Sequence, residues 1–148
     1  MPKMKTHHWA GVTLSLKNLF GTLPGRVYGW PKNILHWEGI EQSILDIAGA
    51  VRPDYAIVDG IVGMEGNGPI SGTPVAAGVL VFGDDPVATD AVTATMMGFD
   101  PRQVGYLAEA GRFLGQVELD EIDQRGEPFE RFAHPFEPPP GAAAEAAG

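Results

Sequence analysis

The chain contains no cysteine. That excludes disulfides, and it excludes any thiolate-held zinc or iron–sulfur cluster held by the chain's own residues. Oxygen and imidazole ligation of a metal stays open. Long apolar runs are missing too. Nothing approaches the about 18–20 consecutive apolar residues that span a bilayer, and no apolar segment of signal-peptide length follows the first lysines. The expectation is a soluble, cytoplasmic protein with no membrane partner. Positive charge is scarce: ten Lys and Arg stand against nineteen Asp and Glu, for a net charge of -9. An acidic surface repels phosphate backbones, so nucleic acid is not the expected partner. The little positive charge is unevenly placed. Residues 1–52 hold six Lys/Arg and three Asp/Glu, whereas the remainder holds four and sixteen. The N-terminal third is therefore locally cationic, which suits a small anionic ligand.

With 148 residues, 44% of them hydrophobic, the chain can bury one core. Residues 1–133 form the expected domain. The tail 134–148, with Pro138-Pro139-Pro140 and then mostly Ala and Gly, reads as disordered. Gly11–Gly21 mixes an alternating pattern with helical spacing, and a short helix ended by Gly21 is favoured. Residues 22–37 are irregular and carry Tyr28, Trp30 and Trp37, a surface suited to a lid or an interface. Residues 39–52 show an amphipathic helical stripe, Ile40, Ile44, Leu45, Ile47, Ala48 and Val51, and Pro53 stops it. A buried strand follows over 54–62, then a turn over 70–76. The run Ala77–Phe82 reads as a second strand, buried on both faces. Asp85-Pro86 and Asp100-Pro101 each place an N-cap before a first-turn proline, predicting two helices. Residues 116–133 read as a weak edge strand or hairpin. The sum is an α/β fold with a parallel or mixed sheet covered by helices.

Chemistry-bearing residues collect in three places. In an extended segment, Lys3, Lys5 and His7 point to one face, so two ammonium groups and an imidazole share a row. That row is either a binding wall or a solvated arm, and His7 either a ligand, a metal ligand or a proton carrier. Lys17 and Asn18 sit between Leu16 and Leu19, where Lys17 either snorkels or projects into a cavity. His36 has apolar neighbours and fits a structural, hydrogen-bonded role. The third place is the stretch Asp59–Pro69, where Gly63, Gly66 and Gly68 loosen the backbone between Asp59 and Glu65. It is neither a dinucleotide fingerprint nor a Walker loop. Its glycines suit an anion nest or a tight turn, and its two carboxylates suit a divalent cation or an acid–base pair. Asp90 lies one turn inside a helix of small and apolar residues. A buried carboxylate needs a partner, and Lys5 and Lys17 are the candidates.

Taken in order, Pro2-Lys3-Met4-Lys5-Thr6-His7, Thr13 through Gly21, Asp59 with Gly63–Pro69, Gly72-Thr73-Pro74, Asp85 through Val92 and Met97–Asp100 resemble the DUF362 family, a family named for its unknown function. The resemblance spans about residues 2–130. Its recurrent residues match Lys5, His7, Lys17, Asn18, Asp59, Glu65, Gly66, Gly68, Pro69 and Asp90. Family members carry a further α/β portion before the Pro-Lys-x-Lys-Thr-His segment, and many are associated with ferredoxin-like iron–sulfur modules. The resemblance thus implies the C-terminal part of a larger α/β domain.

Two functions follow as expectations. The first is an enzyme-like domain that binds a small anion, with a divalent metal as a candidate cofactor. In it Lys5, His7, Lys17, Asp59 and Glu65 are the candidate catalytic groups. Asn18, Gly66, Gly68 and Asp90 would bind ligand, and His7, Asp59 and Glu65 would hold the metal. The second is a non-catalytic domain that docks on a ferredoxin-like redox protein or a second subunit through Tyr28–Trp37. A gene fragment without independent function is the third reading.

Overall fold

The computed structural model describes residues 1–30 and 32–141. Residues 142–148 of the expected disordered tail, and Pro31 of the aromatic loop, lie outside the described residues. The fold is α/β, a mixed sheet flanked by helices. Strand β1 (Lys3–His7) is antiparallel to β2 (Gly11–Thr13) and parallel to β3 (Ala56–Glu65). The far side of β3 pairs antiparallel with β5 (Val79–Gly83) along its first half and with β4 (Thr73–Val75) along its second. Between Lys3, which faces Asp59, and Lys5, which faces Met64, β3 carries extra residues. The register shift bends β3 locally and sets Lys3 beside Asp59, while Lys5 stands opposite Met64.

The connection from β2 to β3 holds α1 (Ser15–Asn18), which continues as a 3-10 turn over Leu19–Thr22. Then come α2 (Gly25–Tyr28), α3 (Asn33–Trp37) and α4 (Ile40–Val51). The expected single helix over Gly11–Gly21 is therefore half strand. Val12 and Thr13 follow the alternating pattern, and helical geometry begins only at Ser15. Helix α4 matches its stripe: Ile40, Ile44, Leu45, Ile47 and Ala48 are buried. Val51 is the exception, exposed at the helix end.

After β5, α5 (Pro86–Met96) starts where expected. The Asp85 carboxylate accepts the backbone N–H of Val87 at 2.8 Å and of Ala88 at 3.1 Å. The second Asp-Pro step does not start a helix. Asp100 accepts from the Arg102 amide and guanidinium instead, and α6 (Gly105–Ala110) begins four residues later. The 116–133 segment forms no strand; it holds two 3-10 turns, Leu119–Glu121 and Phe129–Phe132. The first residues after it pack on the domain. The His134 and Phe136 amides donate to the Met96 and Met97 carbonyls, and Phe136 is buried. The core lies between the sheet and the helices, with Met4, Val12, Leu14, Ile44, Val58, Val87, Tyr106 and Leu107 fully buried. Strand β5 departs from expectation: Leu80 and Phe82 are exposed, so the run is buried on one face only.

Candidate functional site

Parallel strands in an open α/β sheet present their carboxyl ends to ligand. Here the end of β1 delivers Lys5, His7 and His8, and α1 and α3 close on it with Lys17 and His36. His7 is 2% exposed. Its Nδ1 accepts the backbone N–H of Trp9 at 3.1 Å and of Ala10 at 3.3 Å, so that nitrogen carries no proton. Burial first, then the charges of Lys17, His8, His36 and Lys5, bring its pKa down to about 3. His7 is a neutral imidazole with its proton on Nε2. Its ring stacks on His8 at 5.1 Å and on His36 at 6.2 Å between centroids.

Lys17 lies with its Nζ 4.1 Å from the centroid of Phe20 and 3.5 Å from Nε2 of His36. The His36 Nδ1–H donates to the Lys32 carbonyl at 3.1 Å, which leaves Nε2 as a lone pair facing the lysine. Burial, then Lys5 and Lys32, lower the Lys17 pKa to about 8. Burial also lowers Lys5, whose Nζ donates to the Pro69 carbonyl at 3.2 Å. Lys32 is buried, with its ammonium 5.5 Å from the Trp30 ring centroid. Among the described residues no carboxylate pairs with Lys5, Lys17 or Lys32; the one lysine in an ion pair is Lys3, with Asp59 at 2.8 Å. Opposite Lys5 on β2 stands Thr13, and cross-strand partners share a face. The Thr13 hydroxyl is buried and has no hydrogen-bond partner. Three lysines and three imidazoles thus cluster at the end of β1, and among the described residues no carboxylate pairs with Lys5, Lys17 or Lys32.

The Gly-rich stretch does not form an anion nest. The Gly66 amide donates to the Glu137 carbonyl at 2.8 Å, and the Gly68 amide to the Gly66 carbonyl at 2.7 Å. Its carbonyls face the site instead. That of Gly68 accepts from Nδ1 of His8 at 2.8 Å, and that of Pro69 from Lys5. The Thr6 hydroxyl donates to the Gly66 carbonyl at 2.9 Å, fastening the loop to β1. The loop is thus a cation-holding wall.

Asp90 is fully buried, and its partners are neither Lys5 nor Lys17. Its Oδ1 accepts the Ser15 amide at 2.7 Å and its Oδ2 the Leu16 amide at 2.9 Å. A helix start leaves such amides unpaired, so a carboxylate from α5 anchors α1 here. Desolvation raises the Asp90 pKa to about 7 against the pull of those amides. Asp90 therefore positions Lys17 and the exposed Asn18 and does not itself reach a ligand.

The proposed metal set is not assembled. The Lys3 ammonium holds Asp59 below the usual carboxylate range, and Asp59 also accepts the Ile61 amide. Glu65 accepts the Glu137 amide at 2.9 Å, and His7 spends Nδ1 on its own loop. Among the described residues no group of three His, Cys, Asp or Glu side chains could hold a metal. A cavity of about 890 Å³ opens beside His7, His8 and Trp9, lined also by Glu41, Asp100 and Pro138. Of the cationic cluster only His7 and His8 line it; none of the lysines does. His36, Lys32 and Thr13 were not predicted as site residues. His36 gave a signal, an imidazole beside a tryptophan in the aromatic segment, but its distance in sequence from Lys17 hid the pairing.

The family model described as "Domain of unknown function (DUF362)" matches residues 1–95. The chain is also similar to the thylakoid-associated protein sll1697 of Synechocystis sp., with 34% identity over 118 residues. That alignment covers 76% of this chain and 36% of the relative, so the chain spans little more than a third of that protein's length. No solved structure matches the chain. Among the described residues no helix is long and apolar enough to cross a membrane.

Proposed function

Because this chain belongs to the DUF362 family, whose description gives no function, we propose its role from the site itself: it binds a small anion in the recess formed by Lys5, Lys17, Lys32 and the three imidazoles. One observation carries this reading. The half-buried lysines Lys5 and Lys17 lie near Lys32, and among the described residues none of the three has a carboxylate partner, so their mutual repulsion favours an added anion. A phosphate or carboxylate would accept from Lys17 and Lys5. His7 and His36, both held neutral, would orient it without adding charge. Calorimetric titration with inorganic phosphate tests the reading. Lys17→Ala should weaken binding about tenfold or more, the scale of one charged hydrogen bond, with the fold intact by circular dichroism. Equal affinity in the variant would remove Lys17 from the site.

A second reading is favoured by the aromatic segment. Trp30 is 87% and Trp37 73% exposed, with Val27 beside them in sequence also bare. Exposed tryptophans grouped near cationic side chains mark contact surfaces. The surface would dock a ferredoxin-like protein or a second subunit. The relative's name, thylakoid-associated, is compatible with a role in an assembly. A double variant, Trp30→Ala and Trp37→Ala, should then lose binding to a ferredoxin-like protein in a sedimentation assay; unchanged complex formation would count against it.

A further inference from the structure

Three groups in the cationic recess stand in the order that activates a nucleophile. Lys17 Nζ lies 3.5 Å from His36 Nε2, and His36 Nδ1–H is fixed at 3.1 Å on the Lys32 carbonyl. A nucleophile, a base in reach of it and a third group that fixes the base's tautomer make up the arrangement that defines covalent catalysis. The base here is a lone-pair nitrogen. We propose that Lys17 is a reactive amine that forms a Schiff base with a small anion carrying an aldehyde or keto group. The proposal rests on the anion reading of the same site, and it narrows that anion to a carbonyl compound.

The step balances without an oxidant or reductant. The neutral Lys17 amine attacks the carbonyl carbon, a C–N bond forms, and the carbonyl electron pair moves to oxygen. The proton that the nitrogen sheds passes to His36 Nε2 and returns to the oxygen. His36 Nε2 then relays the second N–H proton to the hydroxyl, the C–O bond breaks, water leaves, and the nitrogen lone pair completes the C=N bond. Lys5 and Lys32 hold the anionic end, and Phe20 beneath the amine keeps its surroundings dry. The groups acting on Lys17 lower its pKa, so the neutral amine is reached near pH 8. Lys5 from β1 and Lys32 before α3 are cationic, and burial adds to them. His7 and His36 are held neutral by burial first. Asp90 on α5 is spent on the amides that start α1, and α4 presents Ser43 and aliphatic side chains in its buried face. Among the described residues no carboxylate pairs with Lys17 to raise its pKa again.

The test uses glyoxylate, a small anionic aldehyde, with cyanoborohydride to reduce any imine, followed by peptide mapping of each lysine. Lys17 is expected to be the first lysine modified. Its labelling should rise through one titration centred near pH 8, and inorganic phosphate should protect it. His36→Gln should slow Lys17 labelling about tenfold and move the midpoint of the pH profile, which a merely structural role would not do. The wild-type pH profile needs no variant, so a folding defect in His36→Gln leaves the test intact. Labelling of Lys17 no faster than that of the exposed Lys3 would overturn the proposal; if phosphate still binds in that case, the anion reading stands. Fast labelling that phosphate does not slow would overturn the assignment of an anionic substrate to this amine.

Discussion

At the scale of single residues, two buried groups pull stability in opposite directions with pH. His7 has a folded pKa near 3, below its ordinary value of 6.5. Its contribution is complete above pH 6.5 and is lost as pH falls toward 3. Asp90 has a folded pKa near 7, above its ordinary 3.8. Its contribution is complete below pH 3.8 and is lost as pH rises through 7. The two slopes overlap and oppose each other between about pH 4 and 6.5. Wild-type stability should therefore vary little across that window. Asp90→Asn removes one slope and leaves His7 exposed, so the variant should lose stability on acidification more steeply than the wild type. Urea unfolding at several pH values measures both curves; parallel curves would mean that Asp90 titrates normally. Under the anion reading, the titration of Lys17 bears on ligand binding in the same manner. With its ammonium lost near pH 8, phosphate affinity should fall above that pH in calorimetric titrations, and a flat profile to pH 9 would argue that Lys5 and Lys32 carry the anion alone. Sequence singles out Lys5, His7 and Lys17 as candidates, and the structure brings them together at the end of β1. It could not show the neutral state of His7, which comes from two amides of its own turn and from burial.

At the scale of elements, the sequence singles out the stretch Asp59–Pro69 as a candidate site, and the structure overturns one expectation for it, the anion nest. Glycines in a row suggest free amides. Their actual use is close approach, since a side chain at Gly68 would meet the Thr6 carbonyl at once. The amides are consumed inside the loop and on Glu137, and only the carbonyls remain to hold Lys5 and His8. Gly68→Ala should therefore destabilise the domain by about 1–3 kcal/mol, through overpacking, and should weaken anion binding as the Lys5 wall shifts. Thermal unfolding with and without phosphate separates the two effects. Helix α4 and the Asp85 cap were readable because their signals are local: a periodic stripe, a proline stop, an Asp before Pro. The second Asp-Pro step carries the same local signal and fails, because Asp100 is taken by Arg102 two residues on. The Asp90 anchor was unreadable for the opposite reason. It is a contact between residues about 75 apart, and spacing within α5 shows only that the carboxylate is buried.

At the scale of the whole molecule, the sheet has two unlike faces. In register, Ala56 faces Gly83 and Val58 faces Val81 on the side toward the helices, while Ile57 faces Phe82 and Asp59 faces Leu80 on the other. Alternation makes the second set the outer face, and Leu80 at 41% and Phe82 at 54% exposure confirm it. An uninterrupted apolar run predicted burial on both sides, because periodicity records which side chains avoid water and not which are covered. The two faces should respond differently to substitution. Phe82→Lys places a charge where the ring already meets solvent, and it should change the stability of this chain by no more than about 0.5 kcal/mol, the range of surface substitutions. It also puts a gatekeeping charge on an edge strand, so it should lower any self-association at high concentration. Val58→Ala, on the covered face where the side chain is fully buried, removes packed methyl groups. It should cost about 1–3 kcal/mol, near the lower end of core truncations. Urea unfolding of both variants gives the comparison directly. A Phe82→Lys chain destabilised as much as Val58→Ala would mean that the outer face is packed in solution, and that the sequence reading of a strand buried on both sides describes the protein better than the one-sided sheet does.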